Sequence, residues 1–497
     1  MSAGGTVAAL LRETADRRPG LRIVVDEESM TLSEALERAT EFATRLHGAG
    51  LGAGDRVAML APNDHSFIVA WMGAQLAGLE IALVNVDLPD DLLGAMFAVL
   101  KPAAVLAPIT SRSLEVRQLD MSRAAEGLLL DAGGSAIRPG GEPQGLDRPG
   151  DSIAGYMHTS GTTGLPKFCA QSHDYFSSLA GYVRDIFELT PDDVVYSPLP
   201  LFHVNPLGYA FMGAMIAGAD FHSSRRFSVS GFWPKVVRDG ITVTVLHGAP
   251  LSLLKQHSDP AAAAGHRVRA SFFGDQEFLQ RFGIPGCVTA YGSTEAGGIS
   301  HTRRWRADEA CREPEGQSRT VGAARPGLEW MLEGGDSAGE ILIRAERAGI
   351  LFDGYLRPEG LDPSRDADGW FHTGDLGRRG EDGGLVFMER ASESVRVKGE
   401  YVPLEHLEGV LSSALGADTS AWKRGGDDLG DELVVYVQGA VDLDRYRAIE
   451  PTLPAFMRPS AFAEVAALPR DTGVGKVQRR RLGETEVTRW VEVARGR

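Results

Sequence analysis

The densest phosphate chemistry in the chain lies in one segment, Thr159-Ser160-Gly161-Thr162-Thr163-Gly164-Leu165-Pro166-Lys167. Its two glycines let the backbone approach an anion without a Cβ in the way. Its hydroxyls and free N–H groups can bind phosphate oxygens, and Lys167 adds a positive charge. It is not a Walker loop, because Pro166 stands where GxxxxGK[ST] needs Gly. A Ser/Thr/Gly turn without chemistry is the alternative reading of this segment alone.

Such a loop needs a strand before it and a helix after it. Apolar residues precede Thr159, and helical spacing resumes at Tyr175. Upstream, Thr6 to Arg17 has helical spacing, Leu21–Val25 reads as a strand, and Thr31-Leu32-Ser33-Glu34 has the form of a capping box opening a second helix. Arg56–Leu60, Ile81–Asn85 and Val105–Ala107 read as strands, with a helix from about Ser66 to Gly78 between the first two. Strands alternating with helices predict βαβ units and a largely parallel sheet. Residues 131–151, rich in Gly, Pro and Asp, read as a loop or subdomain boundary.

An apolar strand ends near Met388–Glu393, and the remainder has its own alternation: Leu404–Ser412 helix, Glu432–Val437 strand, Asp444–Glu450 helix. The expected fold class is therefore α/β. It comprises a large N-terminal domain, 1–389, with mixed, mainly parallel sheets flanked by helices, and a small mobile α+β C-terminal domain, 390–497.

The bulk numbers limit the partners. A chain of 497 residues with 43% hydrophobic and 24% charged residues suits a soluble enzyme of several structural units. Its net charge of -16 argues against nucleic-acid and anionic-membrane partners, which need a basic face. The three cysteines, Cys169, Cys287 and Cys311, have no metal-ligand spacing and read as reduced, buried thiols of a cytoplasmic protein. The N-terminal residues do not read as a signal peptide, and no 18-residue apolar run reads as a membrane span.

The segment at 159–167 resembles the STSGTTGxPK signature of AMP-forming acyl and aryl ligases, nonribosomal peptide synthetase adenylation domains and luciferases. Further segments match that superfamily in its own order: Tyr291-Gly292-Ser293-Thr294-Glu295 (YGxTE), Gly369 to Asp375 (GWxxTGD), Arg390 (GRxxE), Arg396 to Pro403 (KxxGExVxP) and Pro469 to Lys476 (PxxxxGK). The stretch from Arg226 to Arg269 is similar to carnitine/crotonobetaine-CoA ligase-like members. The resemblance implies ATP and Mg²⁺ as cofactors, CoA as a possible cosubstrate, and a small-molecule substrate. It leaves a carrier protein acting in trans open as the thiol partner.

It also implies residue roles. ATP would be held by Thr159, Ser160, Gly161, Thr162, Thr163, Gly164, Lys167, Tyr291, Gly292, Thr294, Asp375, Arg390 and Lys476. Glu295 and Thr163 would hold Mg²⁺, whose hardness suits carboxylate and phosphate oxygens. Tyr291 offers adenine a flat face, Asp375 can accept the ribose hydroxyls, and Arg390 can bridge ribose and phosphate. Lys476, in the Gly-rich GVGK loop, would neutralise the attacking oxyanion and the α-phosphate on domain closure. The catalytic set is thus Lys476, Thr163, Glu295 and His203, and the substrate set is His203, Phe273, Gly274, Asp275 and Gly292.

Three departures from the pattern stand out. Phe168 replaces the Gly that usually follows PK, Ser392 replaces the usual charged hinge residue, and Ser271 to Leu279 is shorter than usual before YGxTE, with Phe272 and Phe273 in place of small residues. A long fatty acid therefore fits poorly. A small or aryl acid is expected. The alternative is an ATP-dependent diazotase that activates nitrite and diazotises an aromatic amine in bacterial natural-product biosynthesis, with Asp275 or His203 assisting the amine.

Overall fold

The computed structural model describes residues 5–108, 114, 116–159, 166–308, 320–335, 339–390, 395–397, 400–402, 404–427, 430–470 and 477–493. The described residues form three sheets, of 13, 8 and 6 strands. In the largest, Arg22–Val25, Asp220–Ser223, Val194–Ser197, Val243–Val245, Ala270–Phe272 and Gly286–Tyr291 run parallel as neighbours. From His301–Arg306 onward the pairing is antiparallel. The eight-stranded sheet repeats this plan: Ile153–Thr159, Glu80–Leu83, Arg56–Met59 and Ala104–Ala107 are parallel, and the Lys167–Ser172 strand folds back antiparallel on Ile153–Thr159. In the eight-stranded sheet the parallel run extends to the edge strand Gln118–Asp120, and the antiparallel strands lie on the opposite flank.

Between the sheets lies the helix His65–Ala77, HSFIVAWMGAQLA, buried along its whole length. A helix apolar on all sides has no face to give to water and belongs in a core. Asp64 caps it, accepting from the Phe67 N–H at 2.8 Å, and Gly78, at φ 77°, ends it in the left-handed conformation that glycine adopts without a Cβ penalty. The expected capping box at Thr31 forms in full: its hydroxyl accepts from Glu34 N–H while the Glu34 carboxylate accepts from Thr31 N–H, opening the helix Leu32–Gly48.

The strand Leu385–Arg390 belongs to the largest sheet, and the next described strand, Arg396–Val397, to the six-stranded one. The latter sheet packs with the helix Leu404–Leu415 and carries the C-terminal strand Val487–Glu492. One buried apolar cluster runs from Ala58, Ala82 and Val105 of the eight-stranded sheet to Val395, Val402, Leu407 and Leu411. The C-terminal sheet is therefore docked on the N-terminal layers. Among the described residues, no helix is long and apolar enough to cross a membrane.

Candidate active site

In α/β sheets, ligands bind outside the carboxyl ends of parallel strands, where the loops diverge. Here those ends deliver most of the candidate site residues. Val194–Ser197 leads to His203, Val243–Val245 to His247, Ala270–Phe272 to Phe273, and Gly286–Tyr291 to Gly292, Thr294 and Glu295. From the other sheet, Ile153–Thr159 ends in His158 and Thr159.

Thr159 pairs with Lys167 across the hairpin, so the two residues bracket the Gly-rich loop. Ser160, Gly161, Thr162, Thr163 and Gly164 lie outside the described residues, as do Lys476, Ser392 and Cys311; of Arg390 only the backbone is described. The Lys167 ammonium sits 4.7 Å from the centre of the Tyr355 ring, a cation–π contact that holds it beside the loop.

Glu295 is the buried acid of the site, at 8% exposure. The Thr159 hydroxyl donates to its Oε1 at 3.1 Å and the Tyr355 hydroxyl donates to the same oxygen at 3.0 Å. With Oε1 doubly occupied, Oε2 is the oxygen that can face a cation, and a hard divalent ion suits a carboxylate so oriented. Burial, reinforced by the Glu295 charge, drives the Tyr355 phenol far above its usual range and keeps it a donor. The same two causes raise the Cys169 thiol, so this free cysteine is no nucleophile. The Tyr175 hydroxyl donates to the Thr294 carbonyl at 2.9 Å and pins the segment from below.

Gly292 has a steric reason to be glycine, since a Cβ there would lie 2.0 Å from the Gly298 carbonyl oxygen. Beside it, the Tyr291 hydroxyl donates to Asp375 Oδ2 at 2.8 Å, and the Tyr291 ring stacks on Phe387 at 5.5 Å. One face of Tyr291 is thus covered, and the residue also positions Asp375. Asp375 pairs with Arg390 on adjacent antiparallel strands, which brings the GWxxTGD segment and the arginine together.

On the substrate side, Phe273 has φ 61°, a left-handed conformation that is an outlier for a bulky residue. Its ring meets Phe272 edge-on at 4.6 Å. Gly274 packs closely, a Cβ there reaching 3.2 Å from Cys287 Cβ. Asp275, expected on the substrate side, has structural partners here. Its Oδ1 accepts from Phe278 N–H at 2.8 Å, capping Gln276–Phe282, and its Oδ2 meets the Lys255 ammonium at 2.6 Å.

His203 has a partner that the motif reading missed. Its Nε2 lies 3.2 Å from Glu400 Oε1, and Asn85 Nδ2 donates to Glu400 Oε2 at 3.3 Å. The Asn85 backbone N–H donates to His158 Nε2 at 3.1 Å. Burial first, then the neighbouring His203, holds both His158 and His247 down to about 4, so both are neutral near pH 7. Glu400 was within reach of the sequence, since it is the acid of the Arg396–Pro403 segment. His158 precedes Thr159 directly, but nothing in its spacing distinguishes it from a core residue.

Comparison with known proteins agrees with this geometry. The model of the family described as AMP-binding enzyme matches residues 11–356. The chain belongs to the AMP-binding enzyme family. As a member it is an AMP-forming ligase. It is 28% identical over 489 residues to a crotonobetaine/carnitine–CoA ligase of Escherichia coli, covering 90% of this chain and 92% of the relative. It is 26% identical over 549 residues to long-chain fatty acid transport protein 1 of the mouse, covering 97% of this chain and 82% of that protein. Among solved structures, a double mutant of o-succinylbenzoate CoA synthetase from Bacillus subtilis, bound to a product analogue, aligns at TM-score 0.81 and 22% identity over 98% of this chain and 99% of that one. This last likeness concerns the fold.

Proposed function

We propose that this member of the family activates a small or aryl carboxylic acid with ATP, releases pyrophosphate, and transfers the acyl group to a thiol such as CoA or a carrier protein acting in trans. The observation that carries the reading is the pair of fixed carboxylates: Glu295, anchored by Thr159 and Tyr355, and Asp375, anchored by Tyr291, on either side of Gly292. One suits a metal-bound phosphate, the other a ribose.

In this reading, ATP lies across the loop 159–167, with Asp375 and Arg390 on the ribose and Tyr291 and Gly292 at the base. Thr163 and Glu295 would hold Mg²⁺, which supplies charge neutralisation at the phosphates. The substrate carboxylate attacks the α-phosphorus, the bond to the β-phosphate oxygen breaks, and pyrophosphate leaves. Lys476, from a C-terminal domain that begins near residue 390, neutralises the charge developing in that step. The thiol then attacks the acyl carbon and AMP departs. Phe273 and His203 wall the acid pocket. The acidic surface suits a cytoplasmic enzyme without nucleic-acid or membrane partners.

A second reading has one specific observation behind it. His158, His203, His247 and Asn85 make this end of the crevice polar, which suits nitrite and an aromatic amine in place of an acyl chain. A single assay separates the two. Pyrophosphate release from ATP is measured with small, aryl and fatty carboxylates and with nitrite, each with and without CoA and an aromatic amine. Release with a carboxylate that rises with CoA and is lost in Lys476→Ala supports the ligase; release only with nitrite and amine overturns it in favour of the diazotase.

A further inference from the structure

The two half-reactions differ in their need for a base. A carboxylate attacks ATP as an anion and has no proton to lose. A thiol or amine acceptor carries one, and it must leave as the new bond forms. The residues assigned to the nucleotide are cations, hydroxyls and carboxylates bound elsewhere, and none of them is suited to take that proton.

His203 is suited to it. Of the three imidazoles gathered here, His158 gives its Nε2 lone pair to the Asn85 N–H, and both His158 and His247 are held neutral by burial. His203 is different: its side chain is 26% exposed, and its Nε2 meets a carboxylate at 3.2 Å. A carboxylate only accepts, so Nε2–H donates to Glu400, and Nδ1 is the ring nitrogen whose lone pair can take a proton. Glu400 is itself fixed at its second oxygen by Asn85. A base within hydrogen-bond reach of an orienting acid is the general pattern of an activated nucleophile site. Among the described residues, Arg396, from the same C-terminal hairpin as Glu400, is a further charged group acting on this cluster.

We propose that His203, oriented by Glu400, is the general base that deprotonates the acceptor in the transfer half-reaction. The inference rests on the adenylate-forming reading above. The acceptor X–H bond breaks as X bonds to the activated centre of the adenylate, the bond from that centre to the AMP oxygen breaks with its electron pair, and the proton passes to His203 Nδ1 and then to solvent. Glu400 is a positioning residue: it sets the tautomer and stabilises the imidazolium. Because it is carried by the C-terminal sheet, His203 is armed only while that sheet is docked, which ties base catalysis to one arrangement of the chain.

The test separates the two steps by rapid quench, with ATP and whichever acid or nitrite of the panel gives pyrophosphate, and with CoA or an aromatic amine as acceptor. In His203→Asn the transfer rate falls about 100-fold more than pyrophosphate formation does, the lower end of general-base contributions; Glu400→Gln shows the same bias, more weakly. Added imidazole restores transfer in His203→Ala, which a merely structural histidine would not allow. Equal losses in both steps, or no rescue, overturn the base. The pairing is read without any acid: diethylpyrocarbonate modifies His203 faster in Glu400→Ala than in the wild type, followed by mass spectrometry, and equal rates overturn it. Should the wild type form no pyrophosphate with any arm, the adenylate-forming reading falls and takes the base with it; pyrophosphate formation with unbiased variants sinks the base alone.

Discussion

The Tyr291 hydroxyl donates to Asp375 Oδ2 at 2.8 Å, joining two motifs that lie far apart in the chain. The bond fixes which way the carboxylate faces, so in the proposed ATP site Tyr291 would act through Asp375 as well as through its ring. Hydrogen bonds to charged groups contribute about 1.5–3 kcal/mol, so Tyr291→Phe weakens ATP binding roughly tenfold or somewhat more. Asp375→Asn weakens it further. Calorimetric titration with ATP checks both, and an unchanged Kd in Tyr291→Phe would show that Asp375 needs no such support.

Glu295 gives a sharper expectation, because its Oε1 is held by Thr159 and Tyr355 and the proposed Mg²⁺ would meet Oε2. Glu295→Gln keeps both hydroxyl contacts and the shape but removes the charge. Pyrophosphate formation falls by about 100-fold or more, and the Mg²⁺ concentration for half-maximal rate rises. Tyr355→Phe leaves the carboxylate in place and costs less. A Mg²⁺ titration of all three proteins orders them, and a Glu295→Gln protein with wild-type metal dependence would remove Glu295 from the metal.

Buried histidines set the acid limit of stability. Burial holds His158, His173, His222 and His247 down to about 4 and His301 down to about 3, all below the ordinary histidine value of 6.5. Between about 4 and 6.5 the unfolded chain therefore binds more protons than the folded one, and stability falls as pH drops through that window. Above 6.5 both states are neutral at these sites, and the histidines contribute no pH dependence. Asp239, held near 2 despite its burial by Arg238 and Lys235, loses its contribution only at lower pH. Thermal unfolding at pH 7.5, 6.5, 5.5 and 4.5 should show a flat upper limb and a steep lower one; a constant Tm down to pH 4.5 would contradict the burial argument.

Much of this was written locally in the sequence. The Thr31 capping box, the strand before the Gly-rich loop and the separate C-terminal alternation are short-range signals, and each forms as its residues dictate. The residues proposed for the nucleotide could be named from the sequence because their spacing follows one pattern. The His203–Glu400 pair was not, since its members stand 197 residues apart and meet only when the third sheet docks. The Asp275–Lys255 contact was equally hidden, since it joins a residue of one helix to the N-cap of another.

Phe273 tests the pocket directly. A bulky residue at φ 61° stores strain of about 1–3 kcal/mol, and glycine would adopt the same backbone without it. Phe273→Gly therefore changes stability little, the relieved strain offsetting lost ring packing against Phe272. It opens the pocket, so the preference shifts toward larger acids, with kcat/KM for an aryl acid bearing an added ring rising relative to a small one. An unchanged ranking would place the acid elsewhere in the crevice.

Phe168 is the departure that invites the wrong repair. The residue stands where the family pattern has glycine, and restoring Gly reads as a return to type. In this fold its ring is 1% exposed, edge-on to Tyr156 at 6.5 Å, and part of the cluster that reaches Leu356 and the docked C-terminal residues. Phe168→Gly removes that ring and loosens a strand residue at once. The cost is about 3–5 kcal/mol for the cavity, with a further 0.5–1 kcal/mol from the backbone. Denaturant unfolding should show the whole loss, and ATP binding at saturating concentration should recover only part of it. A Phe168→Gly protein as stable as the wild type would mean that the Tyr156–Phe168 layer is not what holds the loop-bearing hairpin to its sheet.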